Sequence, residues 1–132
     1  MRTKAVLLAS FVWLALATPL PAHHSFAAEF DINSPVTVTG SVTRIEWMNP
    51  HVWFYIDVKD DAGRVTNWGL EMGSPNGLMR AGWTRNSMKV GSVVTVEGSA
   101  AKNGSHNGNA RLVILADTGQ RLFAASSQGQ TP

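Results

Sequence analysis

The stretch His51–Lys59 (HVWFYIDVK) alternates without a break, with Val52, Phe54, Ile56 and Val58 on one side and His51, Trp53, Tyr55, Asp57 and Lys59 on the other. Successive side chains of a strand point to opposite faces, so such a run buries one face only and needs a sheet to do it in. The segment before it keeps the same period. Val36, Val38, Gly40, Val42, Arg44 and Glu46 alternate with Thr37, Thr39, Ser41, Thr43, Ile45 and Trp47, and Gly40 is the expected bend or bulge. Met48-Asn49-Pro50 forms a turn between the two strands. Asp60-Asp61-Ala62-Gly63 has hairpin chemistry and leads into a returning strand, Val65–Glu71.

The rest of the chain completes a pattern. Ser74 can cap a short helix, Pro75 suits its first position and Gly82 its end. A fourth strand is expected over Val90–Ala100, a polar Gly/Asn loop over Ala101–Asn109 and a fifth strand over Ala110–Ala116. Three strands, a short helix and two more strands is the element order of an OB-fold. We therefore expect an all-β chain, a five-stranded partly open barrel with one short helix between its third and fourth strands. A sandwich of seven strands would need more strands than the sequence offers.

The first 22 residues have a different character. Met1-Arg2-Thr3-Lys4 is positively charged, Ala5–Ala17 is uncharged and mostly apolar, and Thr18-Pro19-Leu20-Pro21-Ala22 supplies helix breakers and a small residue. This is the layout of a secretory signal peptide, and the apolar run falls short of the roughly 20 residues needed to span a bilayer. A cut after Ala22 leaves His23 as the new N-terminus, no membrane anchor and a periplasmic or secreted protein. The expected organisation is a signal at 1–22, an arm at 23–34, the barrel at 35–125 and a disordered tail at 126–132. Losing Arg2 and Lys4 turns 11 basic against 9 acidic residues into equal numbers of each. A neutral exported protein lacks the basic footprint that nucleic-acid binding uses, so nucleic acid is not an expected partner. With no cysteine the chain has no disulfide, thiolate metal site or thiol nucleophile.

In an OB-fold, ligands meet the face of strands two and three, between the loop joining strands one and two and the loop joining strands four and five. The first loop carries Met48, Asn49 and His51, and the second carries Lys102, Asn103, His106 and Asn107. Trp53 and Tyr55 stand on the outward face in one row with His51. They form either a platform for a ring, sugar or base, or a surface over which the arm folds through Phe26 and Phe30; the cover is the expected arrangement.

The four histidines, His23, His24, His51 and His106, all lie beyond the signal. Imidazole is the commonest protein ligand for late transition metals. A terminal histidine can chelate through its amine and its ring together, and a third nitrogen from His51 would complete a copper brace. The metal candidates are therefore His23, His24 and His51, with copper the first metal to try and Met48 or Met72 as soft ligands. Met48, Asn49, Trp53, Tyr55 and His106 are the candidates for contact with a small ligand. Against this stands a plain reading, in which adjacent terminal histidines are solvated and His51 pins the turn.

Other constellations are thin. Asp60-Asp61-Ala62-Gly63 lacks the length and closing Glu of a calcium loop. Glu46 with Glu71, or Glu29 with Asp31, are default surface or cap residues, and no serine sits in a GxSxG elbow. A non-enzymatic binding protein is thus the leading reading. The alternative is an interaction module of an envelope or transport complex that docks through Trp53, Tyr55 and the arm without metal. A copper oxidase has the weakest case.

The runs His23–Asp31 (HHSFAAEFD), Gly40–His51 (GSVTRIEWMNPH), Trp68–Glu71 (WGLE) and the Gly91–Gly98 strand resemble a widespread family of small exported bacterial proteins known only as a domain of unknown function. The resemblance covers nearly all of the chain after the signal. It implies a periplasmic β-barrel domain and supplies no catalytic residues to carry over.

Overall fold

The computed structural model describes residues 26–126. A one-turn helix α1 (Phe26–Glu29) leads directly into β1 (Phe30–Glu46), followed by β2 (Trp53–Lys59) and β3 (Val65–Glu71). Helix α2 (Pro75–Arg80) precedes β4 (Val93–Ala101), β5 (Asn107–Leu115) and a short β6 (Arg121–Phe123). The strand order is β3-β2-β1-β4-β5-β6, and a parallel pairing of β3 with β5 closes the ring. The expected architecture is present: an OB-like barrel of five strands with a helix between the third and fourth. Among the described residues, no helix is long and apolar enough to cross a membrane.

The 17-residue β1 serves two neighbours, pairing through residues 30–41 with β4 and through residues 41–46 with β2. The pairing with β2 slips between Val42 and Arg44. That bulge changes which side chains face inward. Val42 is buried, and beyond the slip Ile45 and Trp47 pack on the core while Arg44 stands over Tyr55. The uninterrupted alternation expected from Val36 to Glu46 is therefore corrected: Arg44 and Glu46 leave the row of Val42, because one extra residue reverses the faces.

The interior matches the alternation of the second strand. Val52, Phe54 and Ile56 have no exposed surface, and Leu70, Val94, Val96 and Val113 complete the packing around them. Truncating Phe54 to alanine would cost about 3–5 kcal/mol. Helix α2 adds Leu78 to this core. Its cap forms as expected: Ser74 Oγ accepts the Gly77 N–H at 3.1 Å, and Gly82 takes a positive φ past the helix end.

Several elements differ from the expectation, among them the fourth strand, which runs over Val93–Ala101 and not from Val90. Residues 30–34, assigned to the arm, lie within β1. Asn107 and Asn109, placed in a loop, belong to β5, so the β4–β5 connection shortens to residues 102–106. A further difference is β6, a short strand that pairs with residues 112–114 of β5 and accepts the Trp83 Nε1–H on the carbonyl of Phe123. Its three residues are too few to show a period.

Candidate functional site

Register sets the composition of the outward face. Trp53 lies opposite Glu71, Tyr55 opposite Gly69 and Asp57 opposite Asn67. Across the parallel seam, Gly69 lies beside Asn107 and Glu71 beside Asn109. Residues directly opposite each other share a face, so Trp53, Tyr55, Glu71, Asn107 and Asn109 form one surface at the junction of β2, β3 and β5.

This surface is not open to water throughout. Glu71 is only 7% exposed and Asn109 is fully buried, although both point away from the barrel interior. The start of the described chain lies over this region. Lys102 N–H donates to the Glu29 carbonyl at 2.8 Å, and the Lys102 ammonium donates to the Ala27 carbonyl at 2.5 Å, which ties α1 to the β4–β5 loop. Phe26 and Phe30 stack at 5.8 Å between ring centroids, and Phe30 is buried. Phe30 and Trp53 share the wall of a cavity of about 300 Å³ between this arm and the barrel.

Phe30 thus shares a cavity wall with Trp53, whereas Tyr55 meets Arg44 and Glu46. The guanidinium of Arg44 lies 3.9 Å from the centroid of the Tyr55 ring, and the Tyr55 hydroxyl donates to Glu46 at 3.4 Å. On the other side the ring reaches across Gly69. A Cβ on Gly69 would stand 2.6 Å from Asn107 Oδ1 and 3.1 Å from the Tyr55 ring, so a side chain there would displace the Asn107 carboxamide and press on the ring.

At the first-loop end of the same face, His51 Nδ1 approaches Glu71 Oε1 to 3.4 Å, and Asn109 Nδ2 donates to that oxygen at 3.2 Å. Burial, and secondly the nearby carboxylate of Glu29, push the Glu71 carboxyl up to about 7, against a smaller lowering by the Asn109 hydrogen bond. A carboxylate that titrates near neutrality beside an imidazole can exchange a proton or accept a cation. Among the described residues, no three His, Asp or Glu side chains converge as a group that could hold a metal ion.

The individual candidates fare differently. His51 sits beside Glu71, while His23 and His24 lie outside the described residues. His106 packs its ring edge-on against Trp68 at 5.4 Å and its carbonyl accepts the Gly69 N–H at 3.0 Å. Met48 is more than half exposed, and Asn49, in a cis bond to Pro50, is also exposed. Met72 is a core residue at 1% exposure, which removes it as a soft ligand. Two residues of the cluster, Glu71 in this role and Asn109, escaped the sequence reading. A signal for Asn109 was present in Asn107-Gly108-Asn109-Ala110, whose period of two continues the strand; Glu71 had no comparable local mark.

A model of a family of unknown function, DUF6152, matches residues 12–110. No curated protein matches the chain. Among solved structures, the mitochondrial single-stranded DNA binding protein Rim1 of S. cerevisiae is similar in fold, with a TM-score of 0.50 and 13% identity, over 63% of this chain and 93% of that one. At that identity the likeness concerns the OB-fold alone.

Proposed function

For a chain that belongs to DUF6152, a family of unknown function, we propose an exported, non-enzymatic binding protein that holds a transition-metal ion at the His51–Glu71 end of its barrel. The supporting observation is the 3.4 Å approach of the His51 ring to a buried carboxylate. The barrel supplies one imidazole nitrogen and one carboxylate oxygen. The segment immediately before Phe26 supplies His23 and His24, and cleavage after Ala22 adds a terminal amine. Imidazole, amine and carboxylate donors suit copper(II), which is the metal to try first. A periplasmic or secreted location follows from the signal pattern of the first 22 residues.

Nucleic acid is not the partner in this reading. The yeast neighbour is a single-stranded DNA binding protein, but the outward face here mixes Glu46, Asp57 and Glu71 with Arg44 and Lys59 and carries no basic excess. Docking to an envelope protein is the alternative outcome of the test below.

Mass spectrometry of the exported protein would first fix its N-terminus, and copper(II) would then be titrated into that species. His51→Ala, Glu71→Gln and a residue added ahead of His23 should each weaken binding. Unchanged affinity in all three would overturn the metal site. Capture of an envelope protein that survives chelator and is lost in Trp53→Ala would favour the docking module instead.

A further inference from the structure

The cavity between the arm and the barrel lies next to the proposed metal site but is built from different residues, and its chemistry leads to a different ligand. Two aromatic rings, Phe30 and Trp53, contribute to its wall. Glu29, Lys102, Asn103 and Asn107 line the same cavity, with the Lys102 ammonium on the Ala27 carbonyl and the Asn103 carboxamide on the Ser105 N–H. Its volume, about 300 Å³, lies at the lower end of the range for small-molecule sites and fits a single ring with its substituents. It lies at the start of the second strand and under the β4–β5 loop, at one edge of the region where OB-folds take ligands.

The lining narrows the ligand class. A simple anion would meet Glu29, and a simple cation would meet Lys102, so neither gains from the whole wall. Carboxamides both donate and accept, and so do hydroxyl groups. A saturated ring with a face of C–H bonds and a rim of hydroxyls can lie its apolar face on Trp53 while its rim meets Asn103, Asn107 and the two charged groups. Trp53 suits this role because it is half-buried, held by pairing to Glu46 on one side and Glu71 on the other. Asn103 lies on the exposed loop, where its side chain accepts the Ser105 N–H at 3.0 Å and can turn toward an arriving ligand. We infer that this cavity is a binding site for a neutral polyhydroxylated ring of monosaccharide size, stacked on Trp53. The inference stands without the metal.

The test is a titration of the ¹⁵N-labelled exported protein, in the presence of chelator, with glucose and with N-acetylglucosamine, and with glycine as the zwitterionic probe. At millimolar sugar, the Trp53 indole N–H and the Asn103 and Asn107 signals should shift in a saturable manner, and glycine should leave them in place. Trp53→Ala should weaken the sugar about tenfold or more, the scale of an aromatic stacking contact. Asn103→Ala, on an exposed loop where the fold is not at risk, should weaken it about threefold, the scale of one hydrogen bond. Absence of shifts with both sugars, shifts confined to other residues, equal binding of glycine, or unchanged affinity in Asn103→Ala would each overturn the assignment. Because the chelator excludes metal, failure here leaves the copper titration to be judged separately.

Discussion

The β2–β3 hairpin carries a carboxylate at each end, and the two sit in opposite surroundings. At the turn, Asp60 is solvent-exposed and accepts the Arg64 and Ala62 N–H groups at 2.9 Å and the Arg64 Nε–H at 2.8 Å. The Arg64 backbone and then its guanidinium hold the carboxyl below its ordinary value. At the other end, Glu71 is buried, receives the Asn109 hydrogen bond at 3.2 Å, lies near a second carboxylate and rises to about 7. One carboxylate has all its charge satisfied by local geometry and serves the turn. The other is held where its charge is costly, with His51 and Asn109 beside it. The hairpin thus separates a structural end from a candidate working end.

The largest expected effect comes from the backbone that supports the working end. A Cβ on Gly98 would lie 2.1 Å from the carbonyl oxygen of Asn109, the residue that donates to Glu71. Because the obstacle is backbone, the β4–β5 pairing must shift. Gly98→Ala should cost about 3 kcal/mol in urea unfolding. A cost near zero would mean that the seam carrying Asn109 is loose and that the Glu71 surroundings are not fixed by it.

Protonation distinguishes the two ends by sign. The folded chain holds the Glu71 proton up to about pH 7, whereas the unfolded chain releases it near 4.5. That contribution to stability is complete below pH 4.5 and is lost as pH rises through 7, a decline of up to about 3 kcal/mol. Glu71→Gln should abolish the decline in metal-free protein, so that it exceeds the parent in stability at pH 8. Asp60 acts in the other direction, its contribution being present above pH 3.8 and lost below it as acid protonates the carboxyl. Stability curves of Glu71→Gln and Asp60→Asn that change in the same pH range would remove the contrast between the ends.

Copper should report the same division. His51→Ala and Glu71→Gln should each weaken copper(II) at least tenfold, about 1.4 kcal/mol, while Asp60→Asn leaves it unaltered in the same calorimetric titration.

How far the sequence discloses this division follows from the physics of each element. The barrel is legible because an apolar–polar period of two is written directly in residues 52–58, and because a cap, a proline and a glycine mark α2. The bulge at Val42–Arg44 is not legible, since one unpaired residue leaves the composition of the strand unchanged and reverses only its faces. His51 could be singled out by its own chemistry. Glu71 could not: a glutamate ending a strand is ordinary, and its burial depends on α1 and on the parallel seam with β5, contacts that no local window contains. Phe30 opposite Ala101 and Glu71 opposite Asn109 are pairings over long sequence separations, set only when the barrel closes.

The smallest expected effect tests whether the ends are independent. Gly63 closes the turn at a φ of +82°, a conformation that side chains with a Cβ rarely adopt. Gly63→Ala should cost about 1 kcal/mol, read as a lower urea midpoint. The turn and Glu71 are separated by the full seven residues of β2 and of β3, whose inward side chains are locked into the core. Strain at the turn should therefore be absorbed locally, leaving copper affinity and the Trp53 indole shift of the sugar titration where they were. If Gly63→Ala weakens copper as much as His51→Ala does, the hairpin moves as one body, and the raised Glu71 is a property of the whole sheet instead of a site at its end.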